Sequence, residues 1–249
     1  MKSWFIFYCL LFTFSQSFSQ LPPRSSGSVS TGSNVSVFDN NRFSEYTFDS
    51  RNKVLKYENI EGSPYIDNNS GANNNLPLGK FYSTDFEYIS TALARYNAYT
   101  DDMEVSMLED GVDYYLLKKQ ENFFYIVLKN KTYRAYRHKN KLGFYVILSK
   151  DDKSKCTLLK KEKIIFKKAE KPQNSFETSK PESFKKIRDT YYFKFENRLI
   201  EIPKKRKAFY GLFSEKKDEM KRHIEANRLK MNSEKDLLKI TAYYNTLFN

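Results

Sequence analysis

From Phe81 onward the chain is a succession of short aromatic and β-branched runs cut apart by turn signals, and that spacing leaves few folds open. The runs are Tyr88-Ile89, Ala94 to Tyr99, Met103 to Leu108, Val112 to Leu117, Phe123 to Leu128, Thr132 to Tyr136, Phe144 to Leu148 and Thr157 to Phe166. Between them stand clusters of Asp, Glu, Lys, Asn and Gly. Runs of about five to eight residues with a turn every ~8–12 describe an antiparallel meander. A final hairpin is predicted over TYYFKFENRLIEIP, with Tyr191, Phe193 and Phe195 on one side, a turn at Glu196-Asn197, and Ile200 and Ile202 returning. The stretch KAEKPQNSFETSKPESFKK before it, with two Lys-Pro steps, reads as a loop.

After Pro203 the period lengthens to that of a helix. Ser214 is placed to cap FSEKKDEMKRHIEAN, whose Met220 and Ile224 are spaced i,i+4. Ser233, with Asp236 three residues on, predicts a capping-box start for the last helix. Leu237, Ile240, Thr241, Tyr244, Leu247 and Phe248 then form one apolar stripe. Two helices of this size cannot bury that stripe between themselves, so it docks on the sheet or on another protein, with Leu237, Ile240 and Tyr244 as the interaction candidates. The expected fold is mainly β: an antiparallel meander over 53–203, curled into a half-open barrel or stacked sheet, with C-terminal helices over 204–249 packed on it.

The N-terminus points to export. Lys2 is the only charge in the first 20 residues, Trp4 to Phe14 are apolar, and Ser17 and Ser19 offer small residues at a cleavage site. That order reads as a signal peptide over 1–19, with a destination in the periplasm, at the outer membrane or outside the cell. Residues 20–52, rich in Ser, Asn and Gly, read as a flexible leader. After cleavage no stretch is apolar enough for a membrane span, and of the two cysteines only Cys156 remains. A lone cysteine makes no internal disulfide, so the fold is expected to hold through its core.

Composition also narrows the chemistry. With only His138 and His223, and no G-x-S-x-G, H-E-x-x-H, Walker A or dinucleotide fingerprint, the usual nucleophilic, zinc and nucleotide sites have no residues to build on. No metal and no cofactor is expected. The formal charge of +13 divides unevenly: residues 21–117 carry 7 Lys+Arg and 14 Asp+Glu, residues 118–249 carry 35 and 16. A basic, tyrosine-rich edge at Tyr133, Arg134, Tyr136, Arg137 and Lys139 is the candidate binding surface, for an acidic partner protein or an anionic envelope polymer. Export argues against nucleic acid. The alternative is a glycan-acting hydrolase with Asp101, Asp102 and Glu104 as paired carboxylates, and Glu109, Asp110 and Asp113 around Gly111 form a second acidic cluster.

Gly62-Ser63-Pro64-Tyr65, Arg95-Tyr96-Asn97, Asp101-Asp102-Met103-Glu104, Asp189-Thr190-Tyr191-Tyr192, Phe213-Ser214-Glu215-Lys216-Lys217, Asp236-Leu237-Leu238 and Tyr243-Tyr244-Asn245 occur in that order. In this series the chain, from about Glu61 to the end, resembles a family of exported Bacteroidota proteins that has no established activity. The resemblance implies a Gram-negative envelope location and a β-rich body closed by a helical tail. It carries over no catalytic residues.

Overall fold

The computed structural model describes residues 48–53 as backbone, and 57, 59–66, 77–106, 114–121, 123–150, 153–172, 178–196 and 198–248. The signal-peptide segment 1–19, most of the leader and the cluster at Glu109, Asp110 and Asp113 lie outside the described residues.

Two runs of hairpins, set back to back, build one antiparallel sheet. Strands β2 (Leu78–Tyr82), β3 (Tyr88–Asn97), β4 (Asp102–Ser106) and β5 (Tyr115–Leu117) step outward in one direction. The chain then returns to lay β6 (Tyr125–Leu128) beside β2, and β7 (Lys131–His138), β8 (Lys141–Ile147) and β9 (Cys156–Lys161) step outward in the other. Strand β1 (Phe48–Lys53) closes the first end against β5, and the hairpin of β12 (Thr190–Phe195) and β13 (Arg198–Glu201) closes the second against β9. The spatial order is therefore β1-β5-β4-β3-β2-β6-β7-β8-β9-β12-β13. Mainly β architecture and a curled half-barrel agree with the sequence pattern. The sheet begins at Phe48, however, inside the expected leader, and its order is that of two meanders.

The curl follows from which side chains the pleat turns inward. Ala92, Ala94 and Tyr96 of β3, Met103 and Val105 of β4, Tyr133 and Ala135 of β7, and Phe144 and Val146 of β8 share one face and are buried in one cluster. Tyr96 packs its ring at 5.1 Å from Tyr133 and 6.4 Å from Phe144, drawing the two runs together. The opposite face is covered too, where β13 approaches β7 over Tyr136, Tyr145, Leu159 and Tyr192. Central strands buried on both faces lose the simple inside–outside alternation. Tight turns suit this twist: Lys139 and Asn140, between β7 and β8, both sit at positive φ, 47° and 62°, the geometry of a type I′ hairpin.

The expected single run from Thr157 to Phe166 breaks at Glu162. Its buried carboxylate takes hydrogen bonds from Lys131 Nζ at 2.8 Å and the Tyr133 hydroxyl at 2.9 Å. The chain then leaves the sheet, and β10 (Ile164–Lys167) pairs with β11 (Ser183–Lys186), inside the stretch expected to be loop. This small ribbon adds Ile164 and Phe184 to the main core, and Ile164 N–H donates to Ala98 C=O. Gly62, at φ +82°, lies against it; a Cβ there would stand 2.7 Å from the Phe184 carbonyl oxygen, so the contact needs glycine.

Helices α1 (Arg206–Gly211), α2 (Lys217–Ala226) and α3 (Glu234–Thr246) cover the far end of the sheet. Ser233 caps α3 by accepting the Asp236 N–H, as the capping-box spacing predicts. Ser214 does not cap a helix; it sits at φ 45° in a 3₁₀ turn over Ser214–Lys216, and α2 begins at Lys217. Leu237 and Ile240 are fully buried against Leu158, Phe193, Phe209, Phe213 and Met220. Each such aliphatic side chain contributes roughly 1.5–3 kcal/mol by leaving water. Among the described residues, no helix is long and apolar enough to cross a membrane.

Candidate functional site

The three candidate carboxylates are held by their own chain. Glu104 is 1% exposed. Its Oε1 accepts from Asn97 Nδ2 at 2.9 Å, and its Oε2 from Arg95 Nε at 2.7 Å and the Tyr65 hydroxyl at 2.8 Å. The Arg95 guanidinium lies between the rings of Tyr65 and Tyr114, 4.3 and 3.8 Å from their centroids. Burial and the nearby Glu104 charge push the Tyr65 phenol far above its ordinary value, so it stays a donor. Asp102 pairs with Lys119 Nζ at 2.7 Å.

Asp101 works as a plug. Pairing of β8 with β9 stops at Val146 and Lys160, and below that point the Asp101 carboxylate reaches in from the β3–β4 turn. Its Oδ1 accepts from Phe144 N–H at 3.1 Å, from the Tyr96 hydroxyl at 2.8 Å and from Lys161 Nζ at 2.5 Å. Lys161 also donates to Phe144 C=O at 2.8 Å. One carboxylate and one ammonium thus satisfy a strand backbone that has lost its neighbour. Burial lowers the Lys161 pKa, partly offset by the Asp101 charge. Gly143 makes room: a Cβ there would stand 2.6 Å from Asp101 Oδ2 and 2.7 Å from Lys161 Nζ. Each of the three carboxylates is thus ion-paired within its own chain, to Lys161, Lys119 and Arg95.

Of the expected basic edge, three of the five side chains lie inside the fold. Tyr133, Arg134 and Tyr136 are buried, at 1%, 7% and 3% exposure. The Arg134 guanidinium rests 4.3 Å over the Tyr125 ring and donates to its hydroxyl at 2.8 Å. Cation–π contact and a hydrogen bond to an aromatic platform let a cation enter a covered face. Only Arg137, paired with Glu121 at 3.2 Å, and Lys139 remain exposed. Leu237, Ile240 and Tyr244 face their own sheet and present no surface to a partner. Asn245, next to Tyr244, clips α3 to β9, accepting Cys156 N–H at 2.8 Å and donating to Cys156 C=O at 2.9 Å. The Cys156 thiol is fully buried, which raises its pKa and leaves it unreactive. His223 stacks on Tyr243 at 3.6 Å, and burial lowers its pKa.

What sequence spacing did not bring forward is a groove of about 1260 Å³ beside the helices. Three separate stretches of chain form its banks, and each supplies two cations: Lys186 at the end of β11 and Arg188 ahead of β12, Lys204 after β13 and Arg206 at the start of α1, Arg228 and Lys230 between α2 and α3. All six are exposed. Lys186 lies 3.9 Å from Asp189; the other five make no ion pair among the described residues. Ile187, Tyr191, Ile202, Leu229 and Met231 supply a half-buried apolar lining. Both lining tyrosines have occupied hydroxyls, Tyr191 on Glu234 Oε2 at 3.1 Å and Tyr210 on Glu225 Oε1 at 3.4 Å. Asp189 Oδ1 is buried with no hydrogen-bond partner, and burial raises the pKa of this carboxyl despite Lys186. The sequence signal is the pattern cation–aliphatic–cation, Lys186-Ile187-Arg188 and Arg228-Leu229-Lys230, repeated 42 residues apart.

Compared with models of protein families, with curated proteins and with solved structures, the chain matches none.

Proposed function

We propose that the protein is a non-enzymatic, exported envelope protein that binds an anionic envelope component, an acidic polymer or the acidic surface of a partner, and that the groove beside α2 is its seat. The observation that carries this reading is the three banks of paired cations. Six exposed Lys and Arg line it with three acids, Asp189, Glu201 and Glu225. Like charges held close together cost stability unless a partner of opposite sign is brought to them. Export is supported by Lys2, the apolar Trp4–Phe14 core and the small residues at Ser17 and Ser19. The hydrolase alternative finds no support in Asp101, Asp102 and Glu104, whose oxygens are engaged by Lys161, Lys119 and Arg95.

A titration with dextran sulfate tests the reading. The protein is expected to bind it, more weakly as NaCl rises from about 50 to about 500 mM, because screening shortens the reach of exposed charges. Replacing Lys204, Arg206 and Arg228 by Glu is expected to weaken binding by about tenfold or more. Unchanged affinity in that variant moves the ligand away from the groove and defeats the proposal.

A further inference from the structure

Resting on that reading of the groove, the lining says more about the ligand than the rim does. A highly charged polymer needs cations and a wet surface between them. Here aliphatic side chains share the lining with polar ones: Ile187, Ile202 and Pro203 flanking the β12–β13 hairpin, Leu229 and Met231 between α2 and α3. Carbohydrate platforms are built from open aromatic faces, often with free hydroxyls nearby. The two tyrosines here are tied to Glu234 and Glu225, and Tyr210 is buried. Aliphatic and thioether side chains suit a flexible alkyl chain, and methionine in particular adapts to varied apolar shapes. The volume, about 1260 Å³, exceeds the ~300–1,000 Å³ of ordinary small-molecule pockets. It accommodates a headgroup together with a length of chain. Charge complementarity completes the match: two cations on each bank can surround one phosphate.

We propose that the groove takes an acylated phosphate, an anionic lipid whose phosphate sits among Arg188, Lys204, Arg206 and Arg228 and whose alkyl chain lies along Ile187, Ile202, Leu229 and Met231. The acidic polymers and partner surfaces of the broader reading satisfy the rim alone; a lipid satisfies both rim and lining.

Isothermal titration of the full chain with three water-soluble probes separates these cases. Dihexanoyl phosphatidic acid, below its micelle concentration, offers phosphate and chains; glycerol 3-phosphate offers the phosphate alone; dihexanoyl phosphatidylcholine offers the chains with no net charge. The expected result is at least about tenfold tighter binding of dihexanoyl phosphatidic acid than of either other probe, since two buried methylenes already correspond to more than tenfold. Met231→Glu is expected to remove the advantage over glycerol 3-phosphate, and Lys204→Glu with Arg206→Glu to remove the advantage over the choline lipid. If Met231→Glu fails to fold by circular dichroism, Leu229→Asn serves the same purpose. Equal binding of dihexanoyl phosphatidic acid and glycerol 3-phosphate overturns the lipid assignment, as does equal binding of the two lipids. Dextran sulfate binding without lipid binding overturns this inference alone; failure of both overturns the groove as a binding site.

Discussion

The β3–β4 hairpin and the groove beside α2 use the same vocabulary of Arg or Lys, Tyr, and Asp or Glu, yet they do opposite things with it. At the hairpin each cation has found its anion: Arg95 with Glu104, Lys161 with Asp101, Lys119 with Asp102. Tyr65 and Tyr96 donate to the same oxygens as Arg95 and Lys161, and Asn97 donates to the other oxygen of Glu104. At the groove, cations from three stretches of chain meet with few anions, stay exposed, and border apolar surface. Matched, buried charge specifies how the sheet closes; unmatched, exposed charge is a demand for a ligand. If this contrast is right, substitutions in the first region unfold the protein and substitutions in the second leave it folded.

Glu104→Gln gives the largest expected effect. It leaves Arg95 held between Tyr65 and Tyr114 without its counter-charge, and breaking a buried pair from one side costs about 3–5 kcal/mol. Because Arg95 keeps 25% exposure, a loss of about 3 kcal/mol in urea unfolding is expected. A loss below about 1 kcal/mol would make the network decorative, and the contrast with the groove would fail.

Gly143→Ala comes next. The new Cβ cannot coexist with Asp101 Oδ2 and Lys161 Nζ where they stand, so the plug must shift, with an expected loss of about 1–3 kcal/mol. Pairing it with Asp101→Asn sharpens the result. If both substitutions act through the plug, their combined loss falls short of the sum of the two.

Alkaline pH tests both cores at once. Burial pushes the Tyr192 phenol up to about 12 and holds Tyr96 far above its ordinary value, with Asp101 adding to the effect. Above pH ~10 the unfolded chain releases these protons while the folded chain keeps them, so the folded state binds more protons and stability falls as pH rises. Below pH ~10 these groups are protonated in both states and contribute no slope. Phenolate absorbance is expected to lag behind that of free tyrosine and then rise together with unfolding.

Much of the fold was legible because it depends on local pattern. The aromatic runs, the hairpin at Glu196 and the Ser233 cap all follow from residues a few positions apart. What escaped depends on contacts distant in the chain. Arg134 and Tyr136 read as exposed because alternation assumes one wet face, whereas β7 is covered on both, and Tyr125, nine residues away, gives Arg134 a place to rest. Asp101 and Glu104 read as reactive because their partners, Lys161 and Tyr65, are 60 and 39 residues distant. The series Gly62 to Tyr65, Arg95 to Asn97 and Asp101 to Glu104 gains a physical sense once folded. Pro64 C=O accepts the Ala98 N–H, Tyr65 bridges Asn97, and all three segments meet at Glu104. The groove was harder to foresee: the β12–β13 hairpin brings two of its banks together, but the third, at Arg228 and Lys230, is added by the segment between α2 and α3.

The smallest expected change in stability belongs to the groove, and it is the most informative. Lys204→Glu with Arg206→Glu alters two exposed side chains that make no ion pair among the described residues. Surface substitutions of this kind shift stability by no more than about 0.5 kcal/mol. Relieving repulsion among neighbouring cations even favours a slight gain, larger at low salt. Unfolding in urea at about 20 and about 500 mM NaCl reads the sign: the variant should be as stable as the parent at high salt and equal or better at low salt. A loss of 2 kcal/mol or more, about the scale of removing a hydrogen-bonded charge, would place these cations among the matched charges of the hairpin. The groove would then be part of what holds the chain together, with no unmet demand left for a ligand to answer.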